Sequence, residues 1–144
     1  MDDVTPFHPG DEELKRILGE GKTIAVVGLS NRTDRPAYGV AAYLKEQGYR
    51  IIPVHPKEEE QVLGEKVYPS LHEVPEPIDV VDVFVRADNT PPVAKDAVDV
   101  GAKVLWLQEG IVSDEARQIA EGGGLEVVMG ICIKKTHARL GVAG

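Results

Sequence analysis

The residues best suited to chemistry in this 144-residue sequence sit at five points, each just past a short apolar run. Gly28-Leu29-Ser30-Asn31 leaves the run Thr23 to Val27 and leads through Arg32 and Arg35 to Pro36, which can open a helix. Free N–H groups and the dipole at a helix start favour an anion, and guanidinium groups match phosphate oxygens, so this stretch suits a phosphate. Tyr38, at the start of that helix, joins the same group. Val54-His55-Pro56-Lys57 ends the next run. Dinucleotide binders usually place an acid there for the ribose 2′-hydroxyl, whereas a lysine prefers a phosphate-bearing ribose. Val85-Arg86-Ala87 offers a phosphate or carboxylate contact, or an arginine that simply pairs with a nearby acid. Gln108-Glu109-Gly110 places a polar pair and a flexible glycine where a ligand channel would run, and Cys132 follows the last run.

Several chemistries are disfavoured by the same residues. The full G-x-G-x-x-G fingerprint is missing, since Gly28 is followed by Leu29 and Ser30 and the next glycine is Gly39. A glycine after a strand also serves simply to allow a tight turn. No G-x-S-x-G elbow occurs, and Ser30 has no base or orienting acid beside it in sequence. The histidines, His8, His55, His72 and His137, form no metal-spaced pair and read as surface or loop residues. No catalytic residue and no metal ligand is therefore assigned. One cysteine excludes an intramolecular disulfide and points to a reducing cytoplasm. Cys132 has two readings, a small buried apolar residue or an accessible thiolate capable of disulfide exchange.

These points need elements to hold them. Thr23 to Val27 is apolar, β-branched and too short for a helix, which predicts a buried parallel strand. Further strands are predicted over 49–54, 78–85, 104–107 and 125–129. Helices are predicted over 11–19 with Asp11 as N-cap, from Pro36 to Gly48, after Pro91-Pro92 to Gly101, and from Ser113-Asp114 to about Glu121. Residues 57–77 read as the least regular stretch, with a solvated charged run at its start and a helical turn over 71–74. Strands alternating with helices give βαβ units. The expected architecture is α/β: a Rossmann-like, doubly wound, five-stranded parallel sheet in three α/β/α layers, strand order 3-2-1-4-5. Its ligand crevice should lie beside the first strand.

Composition sets the outer limits. With 42% hydrophobic and 28% charged residues the chain reads as an ordinary globular protein, and one domain over 1–144 is expected. A net charge of −8 opposes polyanions, so nucleic acid is set aside as a partner. No stretch approaches the ~20 apolar residues of a membrane span, and the acidic, proline-bearing start is unlike a secretion signal.

Taken together, Gly28-Leu29-Ser30, Arg35-Pro36, Val54-His55-Pro56, Val83-Phe84 with Arg86, Trp106-Leu107-Gln108 with Gly110-Ile111, and Cys132-Ile133-Lys134 resemble the small bacterial and archaeal CoA-binding proteins. The likeness runs from about Leu14 to His137. It extends to the N-terminal CoA-binding domain of the succinyl-CoA synthetase alpha subunit. The resemblance implies coenzyme A as the cofactor, with its phosphates near residues 28–31 and after the second strand, where Lys57 matches a lysine near the CoA phosphates. It also implies the adenosine end beside Val85-Arg86-Ala87, the pantetheine arm beside Gln108-Glu109-Gly110, and Cys132 near the CoA thiol. The chain departs from the pattern at His55, where Asn commonly precedes the proline, and at Met129-Gly130-Ile131, which replaces an Asp-Arg pair. The synthetases phosphorylate a histidine on a second domain not present in this sequence. The expected function is thus a binding, sensing or redox-buffering module for CoA or an acyl-CoA. An NADP-dependent enzyme and a structural partner of a larger acyl-CoA enzyme are the alternatives. The protein partners considered are that enzyme and a second copy of the chain.

Overall fold

Short runs that are apolar on both faces must pair side by side to satisfy their backbones and must then be covered from above and below. The computed structural model, which describes residues 5–57 and 60–141, meets both demands. Its strands are β1 (Thr23–Val27), β2 (Arg50–Val54), β3 (Gln61–Val62), β4 (Glu65–Lys66), β5 (Val80–Val83), β6 (Val104–Leu107) and β7 (Glu126–Met129). Its helices are α1 (Asp11–Glu20), α2 (Pro36–Glu46), α3 (Thr90–Asp99), α4 (Asp114–Gly122) and α5 (Ile133–Leu140). The main sheet runs β2-β1-β5-β6-β7, all parallel. The pair β3–β4 forms a separate small hairpin.

Side chains alternate across the sheet and divide the core in two. Ile24, Val26, Val80, Trp106 and Val128 pack against Leu14, Ile17 and Leu18 of α1, Val40 and Leu44 of α2, and Ile133 of α5. On the other face Ala25, Val81, Val83, Leu105 and Val127 meet the alanines Ala94 and Ala97 of α3 and Ala116 and Ala120 of α4. The layers are α/β/α, as the alternation of runs predicts.

The strand order differs from the expectation in one respect. The third strand of the main sheet, β5, lies between β1 and β6 and not outside β2, so the order in that numbering is 2-1-3-4-5. The physical reason lies in Pro53. Its carbonyl accepts from Tyr68 N on the side of β2 away from β1, so its missing N–H also faces outward. A proline is tolerated on an edge strand but would remove a ladder bond from an interior one. All four residues of β5 are buried, as an interior position requires.

Smaller differences follow local rules. The first helix has Gly10 as N-cap and not Asp11, which becomes its first residue and pairs with Arg139 at 3.0 Å. Ser113 does cap α4, accepting from Ala116 N at 3.1 Å. The strand expected over 78–85 is ordered as strand only over Val80–Val83, and residues 71–73 form the expected turn. The charged run after Pro56 falls partly outside the described residues. No helix among the described residues is long and apolar enough to cross a membrane.

Candidate functional site

In an open parallel sheet the loops diverge where chain order reverses, and here that point lies between β1 and β5. The end of β1 is tied to both its neighbours: Gly28 N donates to Val54 O at the end of β2, and Phe84 N after β5 donates to Val27 O, both at 2.9 Å. Gly28 has a φ of 96°, and a Cβ placed there would meet Phe84 O at 3.4 Å. Only glycine lets the chain turn here without strain. Beyond it Ser30 Oγ accepts from Arg32 N at 3.2 Å, which folds the loop back toward α2. Arg35 is the N-cap of α2, with Pro36 in the first turn and no side chain capping the helix. The start of α2 is thus left available to an anion.

A cavity of about 650 Å³ opens at these carboxyl ends. Of the residues singled out in the sequence, Gly28, Ser30, Arg35, His55, Gln108, Glu109 and Cys132 line it, together with Arg32. Ala37 and Val40 of α2, with Phe84 and Ile111, supply its apolar wall. Such a volume and mixture suit a small organic ligand with charged groups. Arg32 also holds Asp34, with Nη2 at 3.0 Å from Oδ2, and keeps that carboxyl below its ordinary range. Arg35 forms no ion pair among the described residues. His55 Nδ1 accepts from Lys57 N at 3.1 Å, fixing the turn after β2. Lys135 Nζ lies 2.9 Å from Glu109 Oε1 and closes one side of the rim.

The remaining predicted residues are placed around this cavity and do not line it. Leu29 and Val54 are fully in the core, and Tyr38 is half-buried on α2. Asn31 Nδ2 donates to Gln61 O at 2.9 Å, tying the loop to the β3–β4 hairpin. Pro56 and Lys57 are exposed beyond β2, and Gly110, with φ 83°, turns the chain after Glu109. Val85 and Ala87 are half-buried after β5, while the exposed Arg86 sits 3.6 Å from Asp88. Trp106, part of the resemblance, is a core residue, 0% exposed with Nε1 donating to Ile131 O at 2.9 Å. Cys132 is half-buried, occupies the N-cap position of α5 without a capping side-chain bond, and faces the cavity. His137 departs from the surface reading: it is buried on α5, its Nδ1 is 2.8 Å from Tyr43 Oη, and burial lowers its pKa.

Sequence reasoning passed over Asp82, which the structure places under the site. It is fully buried in β5, joined to Gln108, and burial pushes its carboxyl well above the ordinary 3.8. The available signal was one acid inside the run Val80-Val81-Asp82-Val83, where all its neighbours are apolar.

A parallel, Rossmann-like α/β sheet with a cavity at its chain-reversal point defines the general class of this molecule. Residues 22–138 match the CoA binding domain family, and the chain belongs to that family. The Bacillus subtilis protein YneT is 44% identical over 131 residues, covering 91% of this chain and 96% of its own length. A hypothetical protein from Pyrococcus horikoshii has a structure that superposes with a TM-score of 0.90 at 40% identity, over 97% of this chain and 99% of that one. The alpha subunit of ADP-forming acetate–CoA ligase II from Pyrococcus furiosus is 31% identical over 130 residues. That match takes in 81% of this chain but only 28% of the ligase subunit.

Proposed function

We propose that this chain binds coenzyme A or an acyl-CoA in the carboxyl-edge cavity and acts as a binding, sensing or redox-buffering module without catalysis of its own. The observation that carries this reading is the placement of Arg32 and Arg35 on one cavity, beside the uncapped start of α2, in a chain of net charge −8. Two guanidinium groups beside an uncapped helix start, on an acidic protein, suit a phosphate-bearing ligand. Membership of the CoA binding domain family supports the choice among such ligands.

In this arrangement the phosphates lie against Ser30, Asn31, Arg35 and the start of α2, with Lys57 reaching in from the turn after β2. The adenosine end rests near Arg86, and the pantetheine arm follows the apolar wall of Val40, Phe84 and Ile111 past Gln108 and Glu109 toward Cys132.

Calorimetric titration with CoA, dephospho-CoA and NADP in parallel tests the reading. Saturable CoA binding, weakened by loss of the 3′-phosphate, is expected. No heat with CoA at millimolar concentration would overturn it, and preferential NADP binding would replace it with the nicotinamide alternative. The likeness to a ligase alpha subunit favours a second reading, a partner of a larger acyl-CoA enzyme. That reading predicts weak CoA binding by this chain alone and tight binding once the larger subunit is added.

A further inference from the structure

Asp82 stands in register between Val26 of β1 and Trp106 of β6, and residues opposite one another in a sheet share a face. It therefore points into the layer formed by α1, α2 and α5. Its Oδ1 accepts from Gln108 Nε2, while Oδ2 has no hydrogen-bond partner among the described residues. Gln108 is 3% exposed, and its Oε1 accepts in turn from Ile133 N at 3.2 Å. Ile133 is the first residue of α5, and Thr136 N closes the first turn on Cys132 O at 3.0 Å.

The opening amides of a helix have no acceptor within it, so the Gln108 carbonyl does for α5 what a capping side chain does elsewhere. Cys132, at the cap position, supplies no cap of its own. The amide of Gln108 can face Ile133 with its oxygen only if its NH₂ is turned the other way, and the acceptor waiting there is Asp82. A buried carboxyl with one orphaned oxygen is costly where valine would pack freely, and such a group is accounted for when it fixes a geometry.

We propose that Asp82 is a positioning residue of the cavity: through Gln108 it fixes the start of α5, and so the placement of Cys132 and Gln108 in the wall. Its effect on CoA rests on the proposed function above. Its effect on α5 does not, because the chain Asp82–Gln108–Ile133 exists without ligand.

The test compares wild type, Asp82→Asn and Asp82→Val. Asparagine keeps an acceptor for Gln108, whereas valine keeps the approximate shape and suits a strand. Three readouts are taken: hydrogen exchange at the Ile133 amide, the labelling rate of Cys132 by a thiol reagent, and CoA affinity by calorimetry. In Asp82→Val the first two should rise about tenfold, the factor that corresponds to one lost hydrogen bond, and CoA affinity should fall by a similar factor. Asp82→Asn should stay within about twofold of wild type, as a preserved hydrogen bond requires.

A folded Asp82→Val protein with unchanged Ile133 exchange and Cys132 labelling would overturn the proposal, as would a uniform rise in exchange across all helices. If that variant does not fold, wild type decides. Ile133 should exchange at least about tenfold more slowly than Lys134 in the same turn, and equal rates would refute the inference. A wild type that fails to bind CoA would defeat the function proposed for the cavity while leaving the exchange and labelling results to judge Asp82.

Discussion

The turn at Gly28 makes a quantitative claim that one pair of variants can test. An alanine at position 28 would have to adopt a φ of 96°, with its Cβ 3.4 Å from Phe84 O. The left-handed backbone costs an L-residue about 1–2 kcal/mol. The contact adds little, since that distance is at the edge of ordinary packing. Alanine also narrows the unfolded ensemble, which returns about 0.4–1 kcal/mol. Gly28→Ala should therefore lose about 0.8 kcal/mol net at the middle of those ranges, or roughly 2–4 °C of Tm for a chain of this size.

Gly39, inside α2, is exposed, has ordinary helical backbone, and a Cβ there would meet nothing within 4 Å. Gly39→Ala should gain about 0.5–1 kcal/mol from helix propensity. Urea unfolding of the two variants beside wild type, read by Trp106 fluorescence and by circular dichroism, should displace the midpoint in opposite directions at constant slope. A Gly28→Ala protein as stable as wild type would show that the turn relaxes at no cost and would remove the argument for glycine at the cavity mouth.

Three other outcomes are expected. Arg35→Ala should weaken CoA about tenfold or more by calorimetry, the loss of one charge-assisted hydrogen bond, while leaving Tm within about 2 °C because the side chain is exposed. Ser113→Ala should cost about 1 kcal/mol in urea unfolding, since it removes the cap of α4. Asp82→Asn should gain stability over wild type as pH rises. The folded carboxyl has its pKa raised above 3.8, so the native state holds a proton that the unfolded chain releases. Wild type pays this cost increasingly from about that pH up to the folded pKa, and at a constant level above it. Denaturation at pH 4 and pH 7 should show a wider gap between the two proteins at pH 7; an equal gap would contradict the raised pKa.

Much of the architecture was legible because its signals are local. Thr23 to Val27 is apolar, β-branched and closed by Gly28, and the observed strand has those same limits. Pro36 and Ser113 mark helix starts by what proline lacks and serine supplies. The place of β5 depends on what lies beside it, information carried only by the outward-facing N of Pro53. Helix α5 escaped notice because part of its buried face is Thr136 and His137, which do not register as an apolar stripe. In the site, the polar residues after each strand were readable as exceptions to apolar runs. Ala37 and Val40 were not, since a residue facing a cavity and one facing the core look alike in sequence. Gln108 was identified for its polarity, but its partners at Asp82 and Ile133 are 26 and 25 residues away and only the folded sheet brings them together.

The segment before α1 crosses the free side of β7, where Phe7 N donates to Met129 O and Met129 N to Phe7 O, while Arg117 sits over the Phe7 ring at 3.5 Å. Across the sheet, Tyr68 occupies the corresponding end of β2, next to a proline with no hydrogen to offer. Both margins are therefore plugged at the carboxyl end, the end that carries the cavity. A β-sheet with free margins recruits strands from other chains and can grow into ribbons or aggregates. Here a ligand can reach the strand ends from above while an extended peptide has no ladder to join from the side. Any polypeptide that docks near the cavity must meet loops and helices, and its affinity must come from side chains.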